Sequence, residues 1–202
     1  MHLLFSRYGS SFALLLVLGL SAVAMESTAQ AQLCSPTPRA CVYSSNFSRL
    51  HMQNERFLWK YRRGNFLASD AGDPVNSTDF SICIYADGAL VDEMAIPHGG
   101  TCRKHACWSQ LDDRGLAYRN PEGTDRGINW VKIKFGSAKA IMKIKGRGPK
   151  VRFPLPLSVA NAVTMQTVNS DGKCWEAVFR APAVKSTSDA YIDATGFLTA
   201  DR

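Results

Sequence analysis

The chain has 202 residues, 46% hydrophobic and 20% charged, with 24 Lys and Arg against 17 Asp and Glu and a formal charge of +7. That length fits one domain with an ordinary hydrophobic core, with or without a short preface. After the N-terminal region no stretch approaches the roughly 20 consecutive apolar residues of a membrane-spanning helix, which excludes a chain embedded by later helices.

Arg7 opens a short polar region, Phe12 to Leu20 is an apolar run, and small residues follow at Ala22-Val23-Ala24 and Ala29-Gln30-Ala31. This layout predicts a cleavable secretory leader over 1–31, cut after Ala31, whose apolar run is too short to remain as an anchor. Leu33 precedes Cys34 where a lipid-modification site carries a small residue, so a lipoprotein is excluded. The exported part, 32–202, is read as a single β domain with its core at about 38–185. Losing Arg7 and Glu26 leaves 23 bases against 16 acids, so the mature chain keeps its +7. All six cysteines, Cys34, Cys41, Cys83, Cys102, Cys107 and Cys174, lie in it, and export favours their oxidation to three disulfides.

The first strand signal is "RFLWKYR" at 56–62. Phe57, Trp59 and Tyr61 share one face and Arg56, Lys60 and Arg62 the other, the period of two of a half-buried strand. A turn-rich connection at 69–79 leads to "FSICIY" (80–85), with Ile82 and Ile84 on one side and Cys83 and Tyr85 on the other. Asp87-Gly88 then predicts a hairpin into "ALVDEMAIP" (89–97). In "NWVKIKF" (129–135) Val131, Ile133 and Phe135 point inward, while Trp130, Lys132 and Lys134 point outward. A Gly-Ser-Ala link predicts a return through "KAIMKIKGRG" (139–148), with Ala140, Met142 and Ile144 inward and Ile141, Lys143 and Lys145 outward. "FPLPLS" (153–158) carries proline at alternate steps and reads as an edge or a connection, because proline donates nothing to a ladder.

In "VNSDGKCWEAVFR" (168–180), a three-residue loop Ser170-Asp171-Gly172 with a left-handed glycine sets Asn169 opposite Lys173. Trp175 then faces Thr167, Ala177 faces Met165 and Phe179 faces Val163, an apolar stripe that a one-residue slip would invert. The tail after Arg180 has Val184, Tyr191 and Leu198 at spacings compatible with helix but no caps, so a loop or short helix is expected. With no long amphipathic helix, the pattern predicts an all-β chain, an antiparallel β-sandwich or related barrel stabilised by disulfides.

Catalytic and metal signatures are sparse. His98, Cys102, His105 and Cys107 lie within ten residues, but their spacing is wrong for a zinc finger and oxidation would consume the thiols, so no metal site is assigned. There is no Cys-x-x-Cys and no Gly-x-Ser-x-Gly, which argues against thioredoxin-type and serine-hydrolase chemistry. No cofactor motif is present. Asp70, Asp73, Asp79, Asp87, Asp92, Glu93, Asp112 and Asp113 are candidate acids for paired-carboxylate catalysis, with turn capping as the simpler role. Glycosylation sequons start at Asn46 and Asn76.

The largest departure from an even pattern is electrostatic. From 126 to 170 there is no acid, while Arg126, Lys132, Lys134, Lys139, Lys143, Lys145, Arg147, Lys150 and Arg152 give +9. The rest of the mature chain is therefore at about −2, and the charge is polarised. Like charges on adjacent strands cost stability unless something anionic sits there. Lys132, Lys134, Lys143, Lys145, Arg147 and Lys150 are the predicted polyanion-binding residues, for an acidic polysaccharide, lipopolysaccharide or other envelope component. Lysines on an exposed strand also keep sheets soluble. Nucleic acid is disfavoured, since Trp130 is the only ring on that face. The function expected is non-catalytic binding or a structural role at or outside the cell envelope. The alternative is a small extracytoplasmic hydrolase-like enzyme with carboxylates from separate strands.

"GDP", "CIYADG", "GGTCRKHACW", "GLAYRNPEGTDRGI", "IMKIKGRG", "PLPL" and "VNSDGKCWEA", in that order, resemble a secreted β-rich module of bacterial extracytoplasmic proteins, over about residues 38 to 185. The module has no established function to carry over. The resemblance implies that Cys83, Cys102, Cys107 and Cys174 belong together, with Cys34 and Cys41 as a preface bridge. It favours Cys102 with Cys107 and Cys83 with Cys174, and leaves open Cys83 with Cys107 and Cys102 with Cys174.

Overall fold

The computed structural model describes residues 32–44 and 47–195. The predicted leader, the Asn46 sequon and Leu198 lie outside the described residues. In chain order the strands are β1 (Val42–Tyr43), β2 (Arg49–Gln53), β3 (Arg56–Phe66), β4 (Phe80–Ala86), β5 (Ala89–Ile96), β6 (Thr101–Cys102), β7 (His105–Ala106) and β8 (Trp108–Gln110). Then come β9 (Gly115–Arg119), β10 (Ile128–Lys134), β11 (Gly136–Arg147), β12 (Ala162–Asn169), β13 (Cys174–Arg180), β14 (Lys185–Ser186) and β15 (Ala190–Ala194). They form a five-stranded sheet, ordered β1-β13-β12-β4-β5, an eight-stranded sheet, ordered β14-β15-β2-β3-β11-β10-β9-β8, and the small β6-β7 hairpin. Every pairing is antiparallel except β1 with β13.

The alternating residues close one core between the sheets. Phe57, Trp59, Tyr61, Val131, Ile133, Met142 and Ile144 enter it from the eight-stranded sheet, and Ile82, Ile84, Met165, Trp175, Ala177 and Phe179 from the five-stranded one. Trp175 stacks on Phe66 with ring centroids 3.7 Å apart. The β12-β13 register is the expected one: Val163 faces Phe179, Met165 faces Ala177 and Thr167 faces Trp175. Gly172 has φ 83° and Asn169 N–H donates to the Lys173 carbonyl. Asp87 (φ 48°) and Gly88 (φ 85°) make the predicted two-residue turn between Ala86 and Ala89. The Asp87 carboxylate also accepts N–H bonds from Ala160, Asn161 and Ala162, pinning the connection that follows the proline-rich stretch. Those three donors hold the carboxyl below its ordinary range.

β3 runs beyond the predicted strand because the chain bulges. Arg63 takes φ 56°, and the inward set shifts from Phe57, Trp59 and Tyr61 to Gly64 and Phe66. Gly64 is required here: a Cβ would lie 1.6 Å from the Tyr61 hydroxyl. Ala138, at φ 56°, marks a matching irregularity in β11, and its N–H donates to Asn65 Oδ1. The Gly136–Ala138 segment expected as a link is therefore the start of β11, where Gly136 pairs with Phe66.

Two expectations are corrected. The tail holds two strands rather than only loop or helix, because β14 and β15, joined by residues 187–189, pair with each other and β15 adds to β2. Asp193 occupies an inward position of β15, buried with the Tyr191 hydroxyl donating to it, and that acid hides the strand alternation. The disulfides are Cys34–Cys83, Cys41–Cys174 and Cys102–Cys107. Only the last is as the resemblance favoured. Cys83 and Cys174 stand on β4 and β13, on opposite sides of β12, about 10 Å apart at the ordinary strand spacing and beyond the reach of a disulfide.

Residues 33–41 instead cross the outer face of the five-stranded sheet as a strap bonded at both ends. The Tyr85 hydroxyl donates to the Ser35 carbonyl, Gln166 Nε2 donates to the Arg39 carbonyl, and Glu93 Oε1 accepts from the Leu33 N–H. Beneath lies a second small core of Cys83, Tyr85, Val168 and Cys174. Cys174 thus faces away from Trp175, and each member of the Cys-Trp dipeptide serves a different layer.

Candidate polyanion-binding face

The outer face of the eight-stranded sheet gathers the predicted cations and adds others. Lys132 of β10 pairs with Lys143 of β11, Lys143 with Lys60 of β3, and Lys60 with Arg49 of β2. Four adjacent strands therefore present four cations in one row, stepped by about 4.8 Å from strand to strand. The neighbouring row runs Arg119, Trp130, Lys145, Leu58, His51, and the one beyond Lys143 on the other side runs Lys134, Ile141, Arg62. Successive rows lie about 7 Å apart along the strands. Arg147 pairs with Arg56. Lys150 falls outside this lattice, in the loop after β11.

The strands themselves keep acids out. Among β2, β3, β8, β9, β10, β11, β14 and β15 the sole Asp or Glu is Asp193, and it is buried. Within the lattice the cations crowd one another, and its electrostatics register that. Burial, joined by the charges of Arg62, Lys143 and Arg49, holds the Lys60 ammonium below the ordinary lysine range. Burial, with Lys143 and Arg147, does the same to Lys145. Trp130 offers partial relief, with Lys145 Nζ 4.9 Å and Lys143 Nζ 5.8 Å from its ring centroid.

Two depressions break the flat surface. One, of about 360 Å³, is lined by Arg119, Pro121, Asn129, Trp130, Lys145 and Arg147. The other, of about 300 Å³, lies at the paired bulges among Arg62, Arg63, Lys139 and Ile141. Sequence reading missed the contribution of β2 and β3. Arg56, Lys60 and Arg62 are visible as the polar side of a half-buried strand, but the pairing of β3 with β11 joins residues 70 to 91 positions apart.

The other candidates separate. Cys102 and Cys107 are bonded to each other, which consumes both thiols, and His98 Nδ1 lies 2.8 Å from Asp79 Oδ1. Seven of the eight candidate acids hold partners of their own. Asp73 and Asp87 cap backbone N–H groups, Glu93 holds the strap, and Asp79 holds His98. Asp70 pairs with Lys173, Asp112 with Arg114 and Asp92 with Arg126. Burial raises the Asp92 carboxyl above its ordinary range against the opposing pull of Arg126.

No helix among the described residues is long and apolar enough to cross a membrane. No protein-family model, curated protein or solved structure matches this chain.

Proposed function

We propose that this chain is an exported, non-catalytic binding module that takes an anionic polymer of the cell envelope or exterior on the outer face of its eight-stranded sheet. The observation that carries the reading is the row Lys132, Lys143, Lys60, Arg49, presented by four adjacent strands that contain no exposed carboxylate. Like charges placed directly opposite cost a sheet stability, and a ligand anion lying across the row converts that cost into attraction. A flat lattice of compact ammonium groups suits an acidic glycan or a phosphorylated polysaccharide, which needs charge density rather than base-edge recognition. Export is supported by three disulfides with no free cysteine among the described residues, together with the leader-like first 31 residues.

The test is retention on a heparin column under a salt gradient, comparing the wild type with the triple variant K60Q, K132Q, K143Q. Removing three charges from one row should move elution to clearly lower salt with the fold unchanged by circular dichroism. Co-elution of the two proteins would remove the reading.

A further inference from the structure

A cavity at the edge of the cationic face adjoins it without belonging to it. It encloses about 580 Å³ between the disulfide-closed β6-β7 hairpin and the end of β9, with Cys102, Ala106, Cys107, Ser109, Arg119 and Pro121 along its wall. Its walls are mainly apolar, and its volume falls within the usual range for sites that take small molecules. Arg103 and Lys104 rim it at the hairpin tip.

Arg119 and Pro121 belong to this cavity and also to the depression that holds Trp130, Lys145 and Arg147. Arg119 pairs with Trp130 and Trp130 with Lys145, so the cavity opens onto the end of a cation row. An apolar recess and a charged lattice therefore meet at one residue pair. The Cys102–Cys107 bridge closes the hairpin, which fixes the recess wall in the folded state.

We infer that this junction binds an anionic amphiphile, its acidic head on Lys145, Arg147 and Arg119 and its hydrocarbon part in the recess beneath the Cys102–Cys107 hairpin. The inference rests on the cationic face being a binding surface and adds the chemical class of its ligand: a phosphorylated or similarly acidic lipid or glycolipid, rather than a purely hydrophilic polymer. Cations alone would hold the head of such a molecule and would be indifferent to its chain. The recess supplies the chain dependence.

The experiment is calorimetric titration of the full exported chain with monomeric butyl phosphate and octyl phosphate, both below micelle formation. Burying methylenes strengthens binding roughly tenfold for every two removed from water, so octyl phosphate should bind at least tenfold more tightly than butyl phosphate. Ala106→Asp, at an exposed position of the recess wall, should collapse the octyl-to-butyl ratio toward one. Reading the ratio cancels the effect of the added charge on the head group. Equal affinities for the two phosphates in the wild type, or an unchanged ratio in A106D, would overturn the inference. If heparin retention survives in that case, the cationic face stands without the recess. If heparin retention is also absent, the face itself is not a binding surface.

Discussion

Lys132 and Lys143 stand directly opposite each other across β10 and β11. Two ammonium groups at an antiparallel pair repel, and the repulsion is exposed enough for salt to screen it. Lys143→Gln should therefore stabilise the protein by about 0.5 kcal/mol at low ionic strength, with the gain vanishing at high salt. Urea unfolding at two salt concentrations measures this. A destabilised K143Q at low salt would mean that Lys143 contributes more through Trp130 than it costs beside its neighbours.

The face should lose its hold on anions as pH rises, and earlier than ordinary lysines would allow. Lys60 and Lys145 have native pKa values lowered from 10.5. A lysine shifted in this direction costs the fold free energy while protonated, and the cost is relieved as pH rises through its native value toward 10.5. Burial raises the Tyr61 phenol, so Tyr61 acts in the opposite sense. It stays neutral in the fold while its unfolded counterpart ionises near about 10, and stability falls above that pH. Heparin retention should therefore begin to decline at a lower pH than the ordinary lysine value of 10.5 would give, while the near-ultraviolet circular dichroism is still native. The double variant K60Q, K145Q should show a flatter decline, and an equally steep one would assign the titration to other groups.

The three bridges should differ in worth according to the chain they enclose. Cys41–Cys174 spans a sequence separation of 133, Cys34–Cys83 of 49 and Cys102–Cys107 of 5. Taken singly, the loop-closure relation assigns them about 5, about 4 and about 2 kcal/mol of stabilisation. Paired Cys-to-Ser variants should lower the denaturation midpoint in that order. Greater sensitivity to losing the hairpin bridge than the strap bridge would contradict an entropic origin.

Gly64→Ala should destabilise by about 2 kcal/mol, because the new methyl would displace the buried Tyr61 ring rather than a flexible surface chain. Gly148, where an added Cβ meets nothing within 4 Å, is the control. Its alanine variant carries only the conformational penalty of a positive φ. Thermal unfolding of the two variants separates them, and equal losses would exclude the steric cause.

Local patterning made the core legible. The β12-β13 register followed from one loop and one apolar stripe, and Val131, Ile133, Met142 and Ile144 alternate in the sequence as they do in the fold. What could not be read was anything set by contacts distant along the chain. Lys60 and Lys143 are unrelated until β3 and β11 pair. The strap has no periodicity, so nothing in residues 33–41 announced that both faces of β4 would be buried without a break from Phe80 to Tyr85. Cysteine pairing failed for the same reason: proximity is decided by strand order, and Cys83 and Cys174 flank β12 rather than meet.

The strap also makes the molecule one-sided. With Cys34 bonded to Cys83 of β4 and Cys41 to Cys174 of β13, part of that sheet's outer surface is already occupied by the protein's own chain. The opposite sheet is left bare and positively charged. On an extended anionic surface the protein would come to rest in a single orientation, lattice down and disulfide-bonded strap up. The side it shows to the surroundings would then be the strapped one, so a layer of such molecules would cover the charge beneath it with the disulfide-bonded face.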